Sequence, residues 1–412
     1  MEIFGIIILA VSGIYFSFKL KFKHLNIIKA LKTIIKKEDN SGISSFSALC
    51  ISLASRIGVG SLAGIVLSIH IGGIGSIFWM WIITLICSSN TMIESMLSVK
   101  YRKKVNSNIY EGGPFYYMKY GLSNNKMGII YALIFIIAYT GGFLTIQSNT
   151  ISKVITEIVP INPILVGVII VIFVSLVIFN GIKEIANVVS KLIPFIAVIY
   201  IFTCLLIIFK NVNLIGNVIY QILREAFNKK SFFTGFIVGS TKTIFSTEAG
   251  LGTGAIASAT TSSANPEEQG LVQVFGIFFD TFIVSTLTAF VVLLSPTLNL
   301  NISNLNGIEL TRYAFIFHLG KYGGLILTLS IILFAFATII SGYYYGEVAL
   351  KYITKKENTL VLKLITILLL LISTIVSPNI IWKSIDKFIA ILAIINTISL
   401  IMLRKKVFND KI

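Results

Sequence analysis

Six charged side chains lie within or at the edge of long apolar runs, where an ionised group is costly. They are Arg56, Glu94, Lys242, Glu248, Asp280 and Glu347. A charge at the centre of a membrane helix costs about 2.5–3.5 kcal/mol on insertion scales, so each of these side chains should face protein or water. They either hold breaks in the helices and line a pathway, or form structural ion pairs. We expect ion pairs for Arg56, Glu94 and Lys242, whereas both interpretations stay open for Glu248.

Two of the apolar runs contain glycine-rich interruptions, at 55–64 and at 245–259. Lipid cannot satisfy free backbone N–H and C=O groups, so a broken helix at membrane depth must face protein or a wet cavity. Its exposed N–H groups attract a carboxylate, and its exposed C=O groups can bind a hard cation. Glycines at these places let a substrate approach the backbone, although glycines also serve close helix packing. The glycines concerned are Gly58, Gly60, Gly250, Gly252 and Gly254.

Polar side chains elsewhere in the apolar runs offer further ligands. Gln147 and Asn149 lie at the end of one run, and Thr338 and Ser341 lie within another. Oxygen atoms of this kind suit an alkali cation. A threonine in a membrane helix also commonly bonds the carbonyl four residues earlier in its own helix, so both interpretations of Thr338 remain open.

The composition is that of a membrane protein that crosses the bilayer many times. Of the 412 residues, 56% are apolar and 12% are charged, and the mean hydropathy is +0.91. Soluble domains carry about twice that share of charged residues. The net charge of +17 does not indicate nucleic-acid binding. Lys and Arg concentrate in short loops between the apolar runs, which is typical of cytoplasmic loops.

The sequence contains no pattern typical of an enzyme or of a cofactor site. Cys50, Cys87 and Cys204 are far apart and lie within apolar runs, so we expect buried thiols. The three histidines lack the spacing of metal ligands, and no nucleophile triad or nucleotide-binding motif is present. We therefore expect a protein that is not an enzyme and carries no cofactor.

Eleven apolar runs are long enough to cross a bilayer. Their approximate extents are 3–20, 44–70, 76–99, 127–149, 163–180, 185–209, 231–260, 270–296, 322–349, 359–376 and 381–403. The amphipathic segment 213–228 is predicted to lie at the membrane interface, and 308–319 is expected to be similar. The sequence thus predicts an all-α polytopic membrane protein with a single transmembrane domain over residues 1–412.

Positive charge predicts how the chain is oriented. Most Lys and Arg fall on the side that holds the tail 404–412, so this side is expected to be cytoplasmic and the N-terminus to lie outside the plasma membrane. Without the first span and its basic loop (1–40), ten spans form two repeats of five, 41–209 and 210–403. The interrupted span opens each repeat, and the two enter from opposite sides. This predicts an inverted repeat with substrate and ions bound near the midplane, where the breaks face each other.

Together, these motifs resemble the alanine or glycine:cation symporter family, sodium-coupled amino-acid carriers of the LeuT type. In chain order, the resemblance is carried by Arg56-Ile-Gly-Val-Gly-Ser-Leu-Ala-Gly64, Phe78-Trp-Met-Trp81, Glu94 with Val99-Lys-Tyr-Arg102, Gly112-Gly-Pro-Phe-Tyr-Tyr117, Gln147-Ser-Asn149, Phe245-Ser-Thr-Glu-Ala-Gly-Leu-Gly252, Gln269-Gly-Leu-Val272, Asp280-Thr281 and Tyr344-Tyr-Gly-Glu347. It covers most of the chain and implies a LeuT-type 5+5 inverted repeat with two discontinuous helices and an extra N-terminal span.

The resemblance also implies a function, which is secondary active import of a small neutral amino acid such as alanine or glycine. Sodium symport would drive it by alternating access, so the partners would be the amino acid, sodium and the lipid bilayer. The implied substrate contacts are Gly58, Gly60, Ser61, Gln147, Thr247, Gly250 and Gly252, and the implied sodium ligands are Ile57, Ser61 and Thr338. One alternative is a proton-coupled transporter or exchanger in which Glu248 or Asp280 carries the proton. Another is a membrane sensor that does not transport.

The chain departs from the family's usual residues at several of these positions. Ser61 and Thr247 stand where the family usually has Asn, Ala337 where it has Ser, and Gly342 where it has Trp. A common Gly-Asn pair is replaced by Phe143-Leu144. These departures leave the expected fold and transport role in place. They bear on the substrate and on the number of coupled sodium ions.

Overall fold

The computed structural model describes residues 2–36, 42–106, 108–229, 231–296, 307–376 and 378–408, and almost all of its regular structure is helical. The helices of the first half are α1 (Glu2–Lys19), α2 (Ile27–Ile35), α3 (Ser45–Arg56), α4 (Ile65–Gly72), α5 (Ser76–Lys100), α6 (Pro114–Tyr116), α7 (Asn125–Ile136), α8 (Leu144–Thr156), α9 (Pro163–Ile178) and α10 (Gly181–Lys210). Those of the second half are α11 (Val212–Ala226), α12 (Phe232–Thr247), α13 (Thr253–Ala259), α14 (Pro266–Phe278), α15 (Thr286–Leu293), α16 (Gly307–Thr354), α17 (Leu360–Ser373), α18 (Pro378–Met402) and α19 (Arg404–Phe408). After α5, the strands β1 (Lys103–Asn106) and β2 (Ile109–Glu111) form an antiparallel hairpin.

The apolar runs of the sequence are helical in the structure, and the amphipathic segment 213–228 is the helix α11. Among the described residues, five helices are long and apolar enough to cross a membrane, and a sixth span results if α3 and α4 are counted together. The five are Ser76–Lys100, Asn125–Thr156, Gly181–Lys210, Pro266–Leu293 and Gly307–Thr354. Shorter apolar helices include α9 and α17. The chain is therefore a helical membrane protein that crosses the bilayer several times.

Several long helices contain wide π-helical turns, in which each N–H bonds the carbonyl five residues earlier. In the described part of the chain these turns are Gly60–Gly64 before α4, Tyr117–Gly121 after α6, Ile137–Phe143 between α7 and α8, and Phe279–Ser285 between α14 and α15. Such turns are rare and are frequently found at functional sites. Three of the four lie at or near the glycine-rich interruptions. Gly60–Gly64 is part of the first interruption, and Ile137–Phe143 and Phe279–Ser285 contact residues of the interruptions.

Local capping chemistry sets several helix boundaries. The Asn265 side chain accepts a hydrogen bond from the backbone N–H of Glu268 at the start of α14, and Pro266 occupies the first helical position. The Ser44 side chain caps α3 in the same way. Within α16, non-helical backbone at Gly320 (φ 62°, ψ −153°) separates two segments, which the sequence predicts as an amphipathic helix and a span.

Helix α5 lies at the centre of the packing and contacts α1, α12, α13 and α14. Hydrogen bonds from α5 to backbone carbonyls hold α1 in place: Ser89 Oγ donates to Gly13 O over 2.7 Å, and Asn90 Nδ2 donates to Leu9 O over 2.9 Å. Small residues and such bonds are the usual means of helix association in membranes. They fix α1 beside the second glycine-rich interruption.

The start of the first broken segment is tied to the end of the second. Ile43, just before α3, forms a parallel β-bridge with Thr261, just after α13. The N–H of Ser262 donates to Ile43 O over 2.9 Å, and Arg102 Nη1 donates to Thr261 O over 2.6 Å. The start of the first broken segment and the end of the second therefore lie on the same side of the protein.

Candidate functional site

The first break lies at Ile57–Val59, between α3 and the π-helical turn that leads into α4. Ile57 leaves the helical region (φ −79°, ψ 75°), and the axis turns by 50°. The last carbonyls of a helix lack intrahelical partners, so they are free to accept other groups. At this break, the hydroxyl of Ser61 lies 3.0 Å from Arg56 O.

The second break has left-handed backbone at three of its five residues. Glu248, Gly250 and Gly252 have φ values of 53°, 76° and 80°. This conformation costs a residue with a Cβ roughly 1–2 kcal/mol but costs glycine little, which explains the two glycines. Glu248 is held there by Ser55 of α3, whose hydroxyl donates to Glu248 Oε2 over 2.8 Å. The second break is thus bonded directly to the first broken helix.

Glu94 of α5 caps the half-helix that follows the second break. Its Oε2 accepts a bond of 3.1 Å from the N–H of Gly252 and one of 2.9 Å from Asn396 Nδ2. Asn396 also donates to Gly250 O over 2.9 Å, and Tyr131 donates to Leu251 O over 2.8 Å. A carboxylate at a helix N-terminus satisfies free N–H groups and the helix dipole. Glu94 thus caps this half-helix, and in the described part of the chain it forms no salt bridge, in contrast to the ion pair expected from the sequence.

An oxygen cluster lies between the two breaks, around the buried carboxylate of Asp280 in the π-helical turn Phe279–Ser285. Ser61 from the first break donates to Asp280 Oδ1 over 2.5 Å, and Ser246 from the second donates to Asp280 Oδ2 over 2.8 Å. The two serine hydroxyls are 2.9 Å apart. Asp280, Ser61 and Ser246, with Arg56 O, form what we call the Asp280 cluster.

The donor set of the Asp280 cluster fits a hard cation. Ser61 Oγ has three oxygen neighbours, in Arg56, Ser246 and Asp280, but only one hydrogen to donate. Five oxygens thus meet with two hydroxyl hydrogens and one carboxylate charge. Carboxylate, hydroxyl and carbonyl oxygens are ligands that hard cations prefer, and broken helices supply such carbonyls at ion sites.

Thr338 of α16 lies against the other side of the first break. Its hydroxyl bonds Phe334 O of its own helix over 2.9 Å and reaches Ala54 O of α3 over 2.7 Å. A Cβ added to Gly58 would lie 2.8 Å from Thr338 Oγ1 and 3.3 Å from the amide of Gln147. The expected bond within the helix is thus present, beside a second one to α3, and the structure brings Thr338, Gln147 and Gly58 together. A role of Thr338 as a cation ligand stays a prediction.

Three other candidate glycines, Gly60, Gly250 and Gly252, face apolar side chains. A Cβ at Gly60 would lie 3.1 Å from the ring of Phe245. A Cβ at Gly250 would lie 2.4 Å from Leu9, and one at Gly252 would lie 2.1 Å from Pro114. The bare side of the backbone at Gly250 and Gly252 is therefore filled by packing, in contrast to the substrate approach expected from the sequence.

Of the two adjacent hydroxyls before the second break, the structure directs Ser246, and not Thr247, toward the first break. Thr247 Oγ1 donates to Thr243 O in its own helix over 2.8 Å. Ser246 Oγ reaches Ser61 and Asp280 instead. Ser246 is a candidate site residue that sequence reasoning missed. Its signal was present, because a serine beside a helix break is a candidate for the same reason as Thr247.

Arg56 is buried among three carboxylates without forming an ion pair with any of them. It is 1% exposed, and its Nη1 donates to the backbone carbonyl of Gln273 over 3.2 Å. A Cβ at Gly254 or Gly276 would lie 2.7 Å from the guanidinium, so these glycines make room for it. The carboxylates are Glu94, Glu248 and Asp280. Within the described part of the chain, none is in salt-bridge contact with Arg56, so the ion pair expected from the sequence is not formed.

Two other candidate charges lie apart from the breaks. Glu347 Oε1 accepts from Thr359 over 2.9 Å and lies 3.6 Å from Lys351 Nζ, which also contacts Glu111 of β2 at 3.2 Å. Lys242 is half-buried on α12, more than one turn before the break. The structure thus brings together Arg56, Glu94, Glu248 and Asp280, and leaves Glu347 and Lys242 outside that group.

A stack of four aromatic rings runs from α7 to the first break. Phe135, Tyr139 and Phe143 stack with centroid separations of 4.3 and 4.6 Å, and Phe143 stacks on Phe245 at 5.0 Å. Phe245 in turn covers Gly60. The first three rings are spaced by four residues, a helical period that the sequence displays. Phe245 precedes the second break, so it joins this column of rings to Gly60 at the first break.

The chain matches known proteins along nearly its whole length. The profile of the sodium:alanine symporter family matches residues 2–411. The chain is 33% identical to the probable sodium/glutamine symporter GlnT of Bacillus subtilis (strain 168), over 98% of this chain and 86% of that protein. It is 31% identical to the sodium/alanine symporter AgcS of Methanococcus maripaludis, over 98% of this chain and 92% of that protein.

Solved structures with the same fold are also transporters. A Na⁺-coupled sialic acid symporter in a substrate-bound outward-open state superposes with a TM-score of 0.54 at 11% identity, over 98% of this chain and 81% of that one. A manganese transporter of Eremococcus coleocola superposes with a TM-score of 0.51 at 14% identity, over 90% of this chain and 78% of that one. These likenesses concern the fold, whereas the family profile and the relatives span nearly the whole chain. The chain belongs to the sodium:alanine symporter family.

Proposed function

We propose that this chain imports a small neutral amino acid together with sodium, by alternating access around the two breaks. The observation that carries the proposal is the Asp280 cluster, because it joins Ser61 of one break to Ser246 of the other through a buried carboxylate. Membership of the family supports it. So do the names of two relatives, a probable sodium/glutamine symporter and a sodium/alanine symporter. Inward movement of one positive charge down about 100 mV would contribute about 2.3 kcal/mol to uptake.

The proposed topology has eleven spans, of which α1 is additional. The repeats would be 41–209 and 210–403, related by an inverted arrangement with the N-terminus outside and the tail 404–412 in the cytoplasm; residues 409–412 of that tail lie outside the described part. The bridge between Ile43 and Thr261 supports this arrangement, because the first broken segment begins where the second ends. Rocking of one group of helices against the other would then open the breaks to each side in turn.

Sodium would bind at the Asp280 cluster. One sodium ion there balances the single charge of Asp280, and the hydroxyls of Ser61 and Ser246 and the carbonyl of Arg56 supply neutral oxygens. An ion that bonds groups from both breaks is sensitive to their separation. Sodium binding would therefore favour one arrangement of the breaks over the other, which is what coupling requires.

A second, weaker cation position is proposed at Thr338, with carbonyl oxygens of Ala54 and Ile57. Thr338 supplies a hydroxyl beside the end of α3. Its hydrogen is already shared between Ala54 O and Phe334 O, so an ion would have to replace those bonds. With Ala337 contributing no oxygen, this position offers fewer ligands than the Asp280 cluster.

The amino acid would bind beside Gly58, where polar groups are buried and unsatisfied. Gln147 Oε1 and Ser341 Oγ have no hydrogen-bond partner within the described residues, although both are buried. A buried polar atom left without a partner is costly, so a ligand that satisfies it binds with a specific orientation. The N–H of Gly58 donates to Arg56 O over 2.9 Å, so the N–H groups of Val59–Ser61 are the ones that suit the substrate carboxylate. Gln147 Oε1 can accept from its ammonium. Gly250 and Gly252 would shape the second break without touching the substrate.

Uptake into proteoliposomes tests the proposal. An inward sodium gradient should drive accumulation of labelled alanine, glycine or glutamine above the external concentration, and an equal potassium gradient should not. Accumulation that is driven by a proton gradient and does not depend on sodium would overturn sodium coupling. Absence of transport for every neutral amino acid under both gradients would overturn the transport role and favour the sensor alternative.

A proton-coupled mechanism is the second candidate, and one observation favours it. Glu94 Oε1 is buried without a hydrogen-bond partner in the described part of the chain, and Glu248 is a second fully buried carboxylate. A carboxylate with an unsatisfied buried oxygen is a place for a proton. Glu248→Gln distinguishes the candidates, because it should abolish proton-driven uptake but leave the sodium half-saturation of sodium-driven uptake nearly unchanged.

A further inference from the structure

A cleft of about 350 Å³ lies where α1 meets the loop to α2 and the C-terminal helix α19. Three lysines from one short stretch, Lys19, Lys21 and Lys23, line its rim. Its floor is apolar and consists of Met92, Met96, Leu20, Val407 and Phe408. A basic rim above an apolar floor suits an amphipathic molecule that has an anionic headgroup and a hydrocarbon chain.

Among the residues that the structure describes, no carboxylate pairs with the lysines of the rim. Glu267, the one acidic residue of the lining, is engaged by Lys29 of α2 at 2.9 Å. None of the three rim lysines has an ion pair among the residues that the structure describes. Each of them is exposed. Three lysines on one rim, without ion pairs in the described part of the chain, attract anions.

The loop that carries the lysines is fixed in place. Lys21 and Phe22 both have left-handed backbone, with φ values of 51° and 58°. His24 is 2% exposed, with Nε2 3.4 Å from Ser17 Oγ, and its ring stacks on Phe22 at 6.2 Å. Left-handed backbone at residues with a Cβ persists only where the surroundings hold it. The lysines are therefore presented from a structured turn.

The surroundings of the cleft place it at the level of the lipid headgroups. Phe18 of α1, at 68% exposure, and Phe22, at 49%, lie beside the rim lysines on the outside of the protein. Next to them, α2 exposes the isoleucines Ile28 and Ile35 at 69% and 77%. A helix that exposes apolar residues beside basic ones lies in the membrane interface. Acyl chains thus have an apolar surface directly next to the basic rim.

We propose that this cleft binds an anionic phospholipid, with the headgroup phosphate on Lys19, Lys21 and Lys23 and the acyl chains against α1 and α2. Basic pockets of this kind between helices bind acidic lipid headgroups. The site is distinct from the breaks and does not depend on the proposed substrate. It holds α1, α5 and α19 together at one membrane surface.

Lipid retention by the purified full chain tests the proposal. Native mass spectrometry in detergent would compare phosphatidylglycerol with phosphatidylcholine of the same acyl chains. Wild type should retain phosphatidylglycerol selectively. Each lysine near an anionic headgroup contributes about fivefold (about 1 kcal/mol), so K19Q/K21Q/K23Q should weaken phosphatidylglycerol binding by roughly 100-fold. The triple arginine variant, which keeps the charge, should bind as wild type does.

A matched control removes three lysines from a different basic cleft, lined by Lys103, Lys355 and Lys356 near β1 and the end of α16. K103Q/K355Q/K356Q should retain phosphatidylglycerol like wild type. An equal loss in the two glutamine variants would overturn the site, because it would show a general effect of net charge. Unchanged lipid binding in K19Q/K21Q/K23Q would overturn it as well. Displacement of the lipid by soluble glycerol phosphate at equal concentration would show a phosphate site and not a lipid site.

Discussion

Replacing Asp280 by Asn removes the only negative charge from the Asp280 cluster while keeping the shape of the side chain. The carboxylate is fully buried, and its two oxygens each accept one serine hydroxyl. At a separation of about 4 Å and an effective dielectric constant near 20, a carboxylate and a monovalent cation attract by about 4 kcal/mol. Asparagine retains one carbonyl oxygen and its dipole, so we expect a loss of about 3–4 kcal/mol, or roughly 100- to 1,000-fold in sodium affinity.

The assay is initial uptake of labelled alanine as a function of sodium concentration, at a fixed membrane potential. The half-saturating sodium concentration should rise by that factor in Asp280→Asn. Ser246→Ala removes one neutral ligand, worth about 0.5–1.5 kcal/mol, and should raise it by roughly 2- to 10-fold. The rise in half-saturating sodium should therefore be larger in Asp280→Asn than in Ser246→Ala. This ranking tests the structure, because Asp280 supplies the charge of the cluster and Ser246 supplies a neutral oxygen.

Glu347→Gln is the matched control. Glu347 is also buried and hydrogen-bonded, but its partners are Thr359 and Lys351, away from both breaks. Its sodium half-saturation should equal that of wild type. The reasoning is refuted if Asp280→Asn protein, correctly folded and active, keeps the wild-type half-saturation. It is equally refuted if Glu347→Gln shifts that value as much as Asp280→Asn does.

Three further predictions concern single residues. Thr338→Val should raise the sodium half-saturation by roughly 2- to 10-fold, since one hydroxyl is lost; an unchanged value, measured in the same assay, would remove Thr338 from the cation site. Gly250→Ala adds left-handed strain and a contact 2.4 Å from Leu9, so it should destabilise the protein by about 2–4 kcal/mol, read from thermal unfolding in detergent; in a Leu9→Ala background it should cost only the strain, and no cost there would contradict the strain. Burial lowers the pKa of His24 to about 4 from 6.5, so the unfolded chain binds more protons and stability falls as pH decreases from about 6.5 to about 4. His24→Phe should flatten that decline in pH-dependent unfolding, whereas Lys32→Gln, exposed on α2, should not; an unaltered decline in His24→Phe would contradict the assignment.

The positions of the helices and of both breaks could be predicted from the sequence. Apolar runs of sufficient length are helical in membranes for a reason that does not depend on tertiary contacts, namely the need to satisfy backbone groups. Glycines at Gly250 and Gly252 similarly mark left-handed backbone because only glycine adopts it without strain. These signals are local, so a single sequence reveals them.

Contacts between distant segments could not be predicted in the same way. Whether Ser246 or Thr247 faces the first break is decided by the phase of α12 as it ends, and a shift of one residue turns a side chain by about 100°. Gly250 is covered by Leu9 because α1 is bonded to α5 through Ser89 and Asn90. No residue close to Gly250 in the sequence indicates this contact with Leu9.

The buried charges show the same limit. The cost of burial identified Arg56, Glu94 and Asp280 as residues with partners, and this inference needs only hydropathy. The partners themselves are 158 residues away for Glu94 and Gly252, and 219 away for Ser61 and Asp280. Sequence reasoning predicted ion pairs for Arg56 and Glu94 and no particular partner for Asp280. The fold supplies a helix N-terminus and two hydroxyls instead.

Simultaneous flux of both solutes tests the central claim most directly. Proteoliposomes that contain the protein would be supplied with ²²Na⁺ and ¹⁴C-alanine, in the absence of any other gradient. If sodium and the amino acid cross together, alanine should accelerate ²²Na⁺ entry, and the two initial rates should keep a fixed ratio as either concentration varies. Alanine entry that leaves ²²Na⁺ flux unchanged would contradict sodium symport by this chain.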